Sequence, residues 1–294
     1  MMRLSFLLLL AILLPLCIKA QTEDSVKIQN EIADSLYIQE VENVKGLPAK
    51  VLHAEPLYID LIRDLGARKG EAEWNIAYGM TDVTSFTHYQ GLVEYEFAPI
   101  HRLGLEIEVP FSIYKNNPTD SSFAMPADRI ESLKLAAQWS FWVSDKHNAT
   151  AALGYIHEFE LVDLVELNRR NIYKGNLYNP FFIIAKRWTN NLHSLVYTGP
   201  RIFQEFGKKN YTKFDINSNI HYMISGTRNF VGIEINKTFT SQGWKAVMRP
   251  QIRLGINDNF LIGLVTGIPV KNGQERLSTF VRMIYEPRHH KKTG

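Results

Sequence analysis

Cysteine is almost missing from this 294-residue chain, Cys17 being the single one. It lies inside what reads as a leader, so the processed chain is expected to hold no disulfide, no thiolate zinc site and no thiol nucleophile. A lipoprotein acylated at Cys17 is the rival reading. Pro15-Leu16 opposes it, because that processing favours small residues before the cysteine. Long apolar runs are scarce too. Leu4 to Leu16 follows Arg3 and precedes Ile18-Lys19-Ala20; at about 13 residues it is too short for a spanning helix and fits a signal peptide over 1–20, cleaved before Gln21. No later stretch reaches about 18 uninterrupted apolar residues, so no transmembrane helix is expected after it.

An excess of one charge is lacking as well. The 33 Lys and Arg, less Arg3 and Lys19 of the leader, leave 31 against 30 Asp and Glu, which removes any argument for a nucleic-acid partner from the pI of 8.8. Motifs of chemistry are equally sparse. There is no Walker loop, no GxGxxG and no His-x-Ser. His193 and Ser194 are neighbours in a strand pattern, so they face opposite sides and make no dyad. His221 near Asn219 reads as an inward-facing hydrogen-bonder. His289-His290 on a polar tail make a poor metal site. No catalytic residue, cofactor or metal is expected.

What is present is alternation. In Arg102 to Phe111, Leu103, Leu105, Ile107, Val109 and Phe111 point one way, while Gly104, Glu106 and Glu108 point the other. About twelve such segments follow one another, at roughly 72–80, 87–97, 102–114, 130–144, 149–160, 180–189, 192–203, 212–224, 229–239, 245–256, 259–269 and 276–286. They are longer than ordinary soluble strands and suit tilted membrane crossing. Mean hydropathy is only −0.16, as expected when every second residue faces away from lipid. Connections alternate in length. Tight turns fall at Ala98–His101, Asp145–Asn148, Asn190-Asn191, Ser225–Arg228 and Asn257-Asp258; longer loops fall near 115–128, 161–179 and 204–211. Short periplasmic turns and long external loops are the habit of outer-membrane barrels, which places both ends in the periplasm. Trp74, Tyr78, Trp139, Trp188 and Tyr285 lie where interfacial girdles would be. Pro110 and Pro250 interrupt strand patterns and predict bulges or ends of pairing. The expectation is an all-β fold, an antiparallel transmembrane β-barrel of about 12 strands over 71–287, with a polar tail at 288–294.

Residues 21–70 differ. Their first part is polar, with little periodicity, and reads as loosely ordered. Pro56 then suits a first helical turn and Gly66 a C-terminal cap; between them Leu57, Tyr58, Leu61, Ile62 and Leu65 share one helical face. The expectation is a short amphipathic periplasmic helix near 56–65 that hides its apolar face, either as a plug in the lumen or under the periplasmic mouth.

Two stretches carry a resemblance: His53-Ala-Glu-Pro-Leu-Tyr-Ile-Asp-Leu-Ile-Arg-Asp-Leu-Gly-Ala-Arg-Lys-Gly-Glu71, and Leu92-Val-Glu-Tyr-Glu-Phe-Ala-Pro-Ile-His-Arg-Leu-Gly-Leu-Glu-Ile-Glu-Val-Pro-Phe111. Together they resemble a family of outer-membrane β-barrels of Bacteroidota. The resemblance implies location and fold; it carries no substrate and transfers no functional residue. Such barrels usually end on an aromatic residue read by the barrel assembly machinery, whereas here Tyr285 is followed by the polar extension Glu286 to Gly294.

The inward face is charged. Closing the hairpin over Ala98–Arg102 sets Glu94 opposite Glu106, with Glu96 and Glu108 beside them. Like charges opposite each other destabilise a sheet, so cations are needed. Lys134, Arg249, Arg253 and Arg282 are the candidates, with Arg187 if its register is right. The lumen is then either filled by an ion-pair network or open. An open one is a passive channel for small polar solutes, without strong charge selectivity. A filled one is a non-conducting anchor or interaction module. A lipid-modifying enzyme is the third reading. Outer-membrane lipid and the assembly machinery are the expected partners.

Overall fold

The computed structural model describes residues 26–59, 61–83, 85–116, 125–166, 172–270 and 275–287. The expected leader and polar tail lie outside these. Thirteen strands form a single sheet. They are β1 (Ala72–Val83), β2 (Phe86–Ile100), β3 (Leu103–Asn116), β4 (Arg129–Ile130), β5 (Ser132–Ser144), β6 (Ala149–Leu161), β7 (Tyr173–Arg187), β8 (Leu192–Glu205), β9 (Tyr211–Met223), β10 (Phe230–Thr240), β11 (Gly243–Gly255), β12 (Phe260–Pro269) and β13 (Glu275–Tyr285). β4 is a two-residue piece on the outer part of β3, just ahead of β5. The other twelve close into an antiparallel barrel, each paired with its sequence neighbour and β13 paired with β1.

Alternation sorts the side chains. On β1, Trp74, Ile76, Tyr78 and Met80 are exposed outward, while Glu73, Asn75 and Ala77 are buried inward. The same division runs round the wall, giving a belt of exposed apolar and aromatic residues outside and a polar interior. That is the arrangement lipid imposes on a closed sheet. The twelve long strands occupy the twelve alternating segments. Most boundaries agree within three residues; the largest difference is at β7, which begins at Tyr173, seven residues ahead of the expected start. Pro180, the expected start of this strand, faces β8 across a gap in pairing between Tyr178↔Ile202 and Phe182↔Thr198. Asn179 fills that gap by donating from Nδ2 to the Pro200 carbonyl at 3.0 Å. Pro110 and Pro250 also sit where pairing pauses, on the β5 and β12 sides respectively.

The N-terminal segment departs from expectation twice. A helix, α1, occupies residues 26–42, where loose order was expected, and lies across the end of the barrel that carries the short turns. Asp34 accepts from Asn191 Nδ2 at 2.9 Å and from the Gly226 amide at 2.7 Å, and Glu42 pairs with Arg187 at 2.8 Å. No helix forms over 56–65. The backbone there is irregular, with Arg63 at φ 80° and Gly66 at φ 77°. The Leu57 and Ile59 amides donate to the barrel wall, while the Arg63 amide donates to the Leu61 carbonyl and the Leu65 amide to Glu55.

Candidate functional site

The site is the lumen itself, built by residues 49–71 and the inward side chains that meet them. The segment enters from the short-turn end, reaches furthest near Ile59, and returns to the same end to start β1. On the way in, the Ala54 amide donates to His193 Nδ1 (2.8 Å), Leu57 to Gln251 Oε1 (2.8 Å) and Ile59 to Glu234 Oε1 (3.2 Å). On the way back, Gly66 donates to Ser140 Oγ (2.8 Å), and the Arg63 carbonyl accepts from Gln138 Nε2 (2.8 Å). These contacts answer why the helix is dispensable: a buried backbone needs partners, and the wall supplies them from β5, β8, β10 and β11. The wall also makes room. A Cβ on Gly104 would collide with the Ile62 carbonyl oxygen and stand 2.7 Å from Arg63 Cβ; one on Gly263 would stand 2.6 Å from Leu57.

Apolar side chains of the segment have two seats. Ile59, Leu61, Ile62 and Leu65 pack with Ala152, Phe181, Ile183, Leu195 and others of β5–β8. Ala54 and Leu57 pack with Phe230, Leu261, Val265 and Phe280, where Tyr58 stays partly exposed. Leu57, Leu61, Ile62 and Leu65, assigned to one helical face, are therefore all buried, but against different sides of the barrel. Between segment and wall a cavity of about 40 Å³ remains beside Glu55, Asp64, Glu73, Arg253 and Arg282, room for about one water.

Charge gathers on β1–β3. Glu94 stands opposite Glu108 and Glu96 opposite Glu106, two residues from the expected register, because the chain turns at His101-Arg102, later than expected, and a bulge between Phe97 and Ile100 takes back one residue and restores the parity. Arg102 takes φ 68° there. Glu73 lies opposite Glu96 on the other side. Lys134 Nζ meets Glu106 at 3.1 Å and Glu108 at 2.5 Å, and Arg282 stands 3.8 Å from Glu94. The remaining cation comes from the segment: Arg63 reaches Glu73 at 2.5 Å and Glu96 at 3.5 Å, and Asp64 at 3.2 Å. Lys50 bridges Asp64 and Glu71, both at 2.9 Å.

Six expected members, Glu94, Glu96, Glu106, Glu108, Lys134 and Arg282, thus come together. Arg249 and Arg253 do not. Arg249 donates to Asn236 (2.7 Å) and lies over the Tyr58 ring at 3.4 Å; Arg253 donates to the Arg228 carbonyl and lies over Phe230. Both project from β11; Arg249 also reaches Ser278 of β13, and Arg253 lines the small cavity beside Glu73 and Arg282 without a recorded ion pair to the acidic group. Arg187 serves Glu42 and Asn148. Arg63, Glu73 and Asn75 were missed. On a helix over 56–65, Arg63 would fall opposite the apolar face, and only the acidic surplus of β1–β3 hinted that a cation was owed.

His53 Nε2 lies 3.0 Å from Thr150 Oγ1, and burial, with His193, Arg187 and Lys50 nearby, pushes its imidazole down to about 3, so it is neutral. His193 accepts the Ala54 amide inside the lumen, away from any lipid-facing wall. His221 was expected to hydrogen-bond; it instead lies against Phe230, ring centroids 4.5 Å apart, with no hydrogen-bond partner among the described residues.

A closed antiparallel barrel with a lipid-facing belt and a polar interior defines the class of outer-membrane β-barrels. The chain belongs to the HAEPLYID-like family, whose signature matches residues 49–286. The letters of that description are His53 to Asp60, and His53 to Ile59 are the part of the chain that enters the lumen. No functionally curated protein matches the sequence. Among solved structures, the fold is similar to the COG4313 outer membrane channel from Pseudomonas putida F1 (TM-score 0.59, 12% identity, 78% of this chain and 99% of that one). It is also similar to the KdgM porin (0.51, 13%, 74% and 99%) and the NanC porin (0.51, 8%, 73% and 100%). Identities this low speak for the fold alone.

Proposed function

We propose that this chain is a channel-type barrel of the Gram-negative outer membrane that its own residues 49–71 hold closed at rest, and that small polar solutes pass when the segment moves. The observation that carries this reading is the stitching of one segment to β5, β8, β10 and β11 through backbone hydrogen bonds. A segment tied to several sides of a lumen leaves no straight path through it. Its lining carries both signs, which favours no strong preference for anions or cations. In this reading the leader directs export, both termini are periplasmic, α1 covers the periplasmic mouth, and Tyr285 serves as the internal aromatic that the assembly machinery reads.

Planar-bilayer recordings test it. The full-length protein is expected to be silent or to open briefly, and a variant lacking residues 21–68 to conduct steadily. Steady current through the full-length protein would remove the segment as a closure. A second reading, a non-conducting anchor or interaction barrel, draws on the apolar seats of Leu57, Ile62 and Leu65, which resist displacement. It prevails if the truncated barrel keeps its folded gel mobility and still carries no current. A lipid-modifying role has little to build on, because His193 is committed to the Ala54 amide.

A further inference from the structure

The lumen segment meets the last turn of α1 twice, once on the way in and once on the way out. On the way out, Arg68 is buried and spends three nitrogens on backbone carbonyls. Its Nη1 donates to Val41 at 2.7 Å, Nη2 to Glu42 at 2.5 Å and Nε to Pro48 at 3.2 Å. Val41 and Glu42 close α1, where carbonyls lack a helical partner and a cation is favoured. On the way in, the Leu52 amide donates to Glu42 Oε1 at 2.7 Å. The same carboxylate pairs with Arg187 of β7 at 2.8 Å. Glu42 alone thus joins α1, both stretches of the segment and the wall.

The other end of this grip is fixed as well. Next to Arg68, the Ala67 carbonyl accepts from the Arg102 amide at 2.6 Å, at the β2–β3 turn. Contacts therefore run from Arg187 through Glu42 and Arg68 to Arg102, from β7 to that turn. Earlier in α1 the bonds go to the rim. Asp34 holds Asn191 and the Gly226 amide, and Ser35 Oγ accepts from Asn190 Nδ2 at 3.1 Å. A helix that merely rested on the mouth would bond to the rim and not to the segment. Here α1 does both. If α1 left, buried Arg68 would keep only the Pro48 carbonyl, and Arg187 would lose its carboxylate, both costly for buried charges.

We propose that α1 is a clasp on the lumen segment: its docking on the rim and the seating of residues 49–71 are coupled, and the segment leaves the wall only after the grip at Glu42 opens. The clasp builds on the reading of these residues as the closure of the lumen, and it says what controls them. Control is exerted from the short-turn end, through a helix that binds the rim.

Hydrogen exchange of the full-length protein in detergent tests the coupling, with Asp34→Ala as the variant. The bonds of Asp34 go to the rim, so the change leaves the recorded contacts of residues 49–71 in place. Loss of two hydrogen bonds to a carboxylate should speed exchange about tenfold or more at Ala54 and at Gly66, one amide from each stretch. Brief openings in planar bilayers should become more frequent by a similar factor. Unchanged protection of Ala54 and Gly66 in the folded variant overturns the clasp and leaves the closure reading standing. Steady current through the unaltered protein removes the closure reading, and exchange still decides on the clasp. A second decision needs no variant to fold. In the unaltered protein the Leu52 amide, bound to Glu42, must open no later than the deeper amides. Exchange faster at Ala54 or Gly66 than at Leu52, each corrected for its intrinsic rate, overturns the clasp too.

Discussion

The two arms of the lumen segment are held by different physics. The entering arm, His53 to Ile59, is tied mostly by hydrogen bonds from its backbone to His193, Gln251 and Glu234, and it packs Leu57 against β9–β13. The returning arm, Leu61 to Glu71, is tied by ion pairs through Arg63, Asp64 and Lys50, and it packs Ile62 and Leu65 against β5–β8. The contrast matters for opening. A net hydrogen bond contributes about 0.5–1.5 kcal/mol, and little of it depends on salt. A buried ion pair adds little over a well-packed apolar substitute, yet removal of one partner costs about 3–5 kcal/mol, because the other charge is left stranded. The returning arm is therefore the more breakable of the two.

The largest effect should follow Arg63→Ala. Glu73 and Glu96 would lose their shared partner inside the barrel, and the returning arm should open more easily by about 3–5 kcal/mol. Hydrogen exchange at the Leu65 and Gly66 amides reads this directly. Equal loss of protection at Ala54 and Leu57 would show the arms to be one cooperative unit and end the comparison. Leu57→Ala attacks the other arm. Leu57 is buried, and the cavity left among Phe230, Leu261 and Phe280 should cost about 2–4 kcal/mol. Exchange should accelerate first at Leu57 and Ile59; if Gly66 responds as strongly, the two seats are coupled. Gly104→Ala tests the fit from the wall side. The added Cβ meets a backbone carbonyl, which cannot swing aside like a side-chain tip, so overpacking of about 1–3 kcal/mol should fall on the Ile62–Arg63 turn. A variant with unchanged exchange at Leu65 would mean the turn has slack.

The difference between wall and segment also explains what could be read from the sequence. A strand in lipid sorts each residue by its parity, so Leu103, Leu105 and Ile107 against Gly104, Glu106 and Glu108 declare the strand and its inner face locally. The segment has no such rule, because it is surrounded. Leu57, Leu61, Ile62 and Leu65 satisfy helical spacing, and they satisfy equally well an irregular chain that buries side chains in several directions. What decided between the two was the supply of hydrogen-bond partners on the wall: Gln138, Ser140, His193, Glu234 and Gln251 come from positions 74 to 194 residues away in the chain. The acidic wall was legible through parity, but its register was not, since a turn at His101-Arg102 and a one-residue bulge after Phe97 together set Glu94 opposite Glu108 instead of Glu106 without changing which face it occupies. Arg249 and Arg253 shared the inner face with the acids and were grouped with them for that reason. Parity gives the face and says nothing about position around a barrel.

The smallest effect, and the sharpest separation of the arms, lies in acid. His53 is buried beside Thr150 and is held neutral, its imidazole lowered from the ordinary 6.5 to about 3. A histidine lowered on folding contributes stability that is complete above its unfolded value. As pH falls below about 6.5 the unfolded form takes up a proton that the seated form refuses, so stability is lost progressively until about pH 3, where the seated form titrates too. At pH 6 the loss is under about 1 kcal/mol. His53→Gln removes the titrating group while keeping a polar partner for Thr150. Protection of the Ala54 amide should then become flatter with pH between 6.5 and 5, while the Leu65 and Gly66 amides keep the pH response of the unaltered protein, whose origin is the carboxylates around Arg63. If the Ala54 slope persists in the variant, the acid response of both arms has that ionic origin, and the neutral arm is not independent of it.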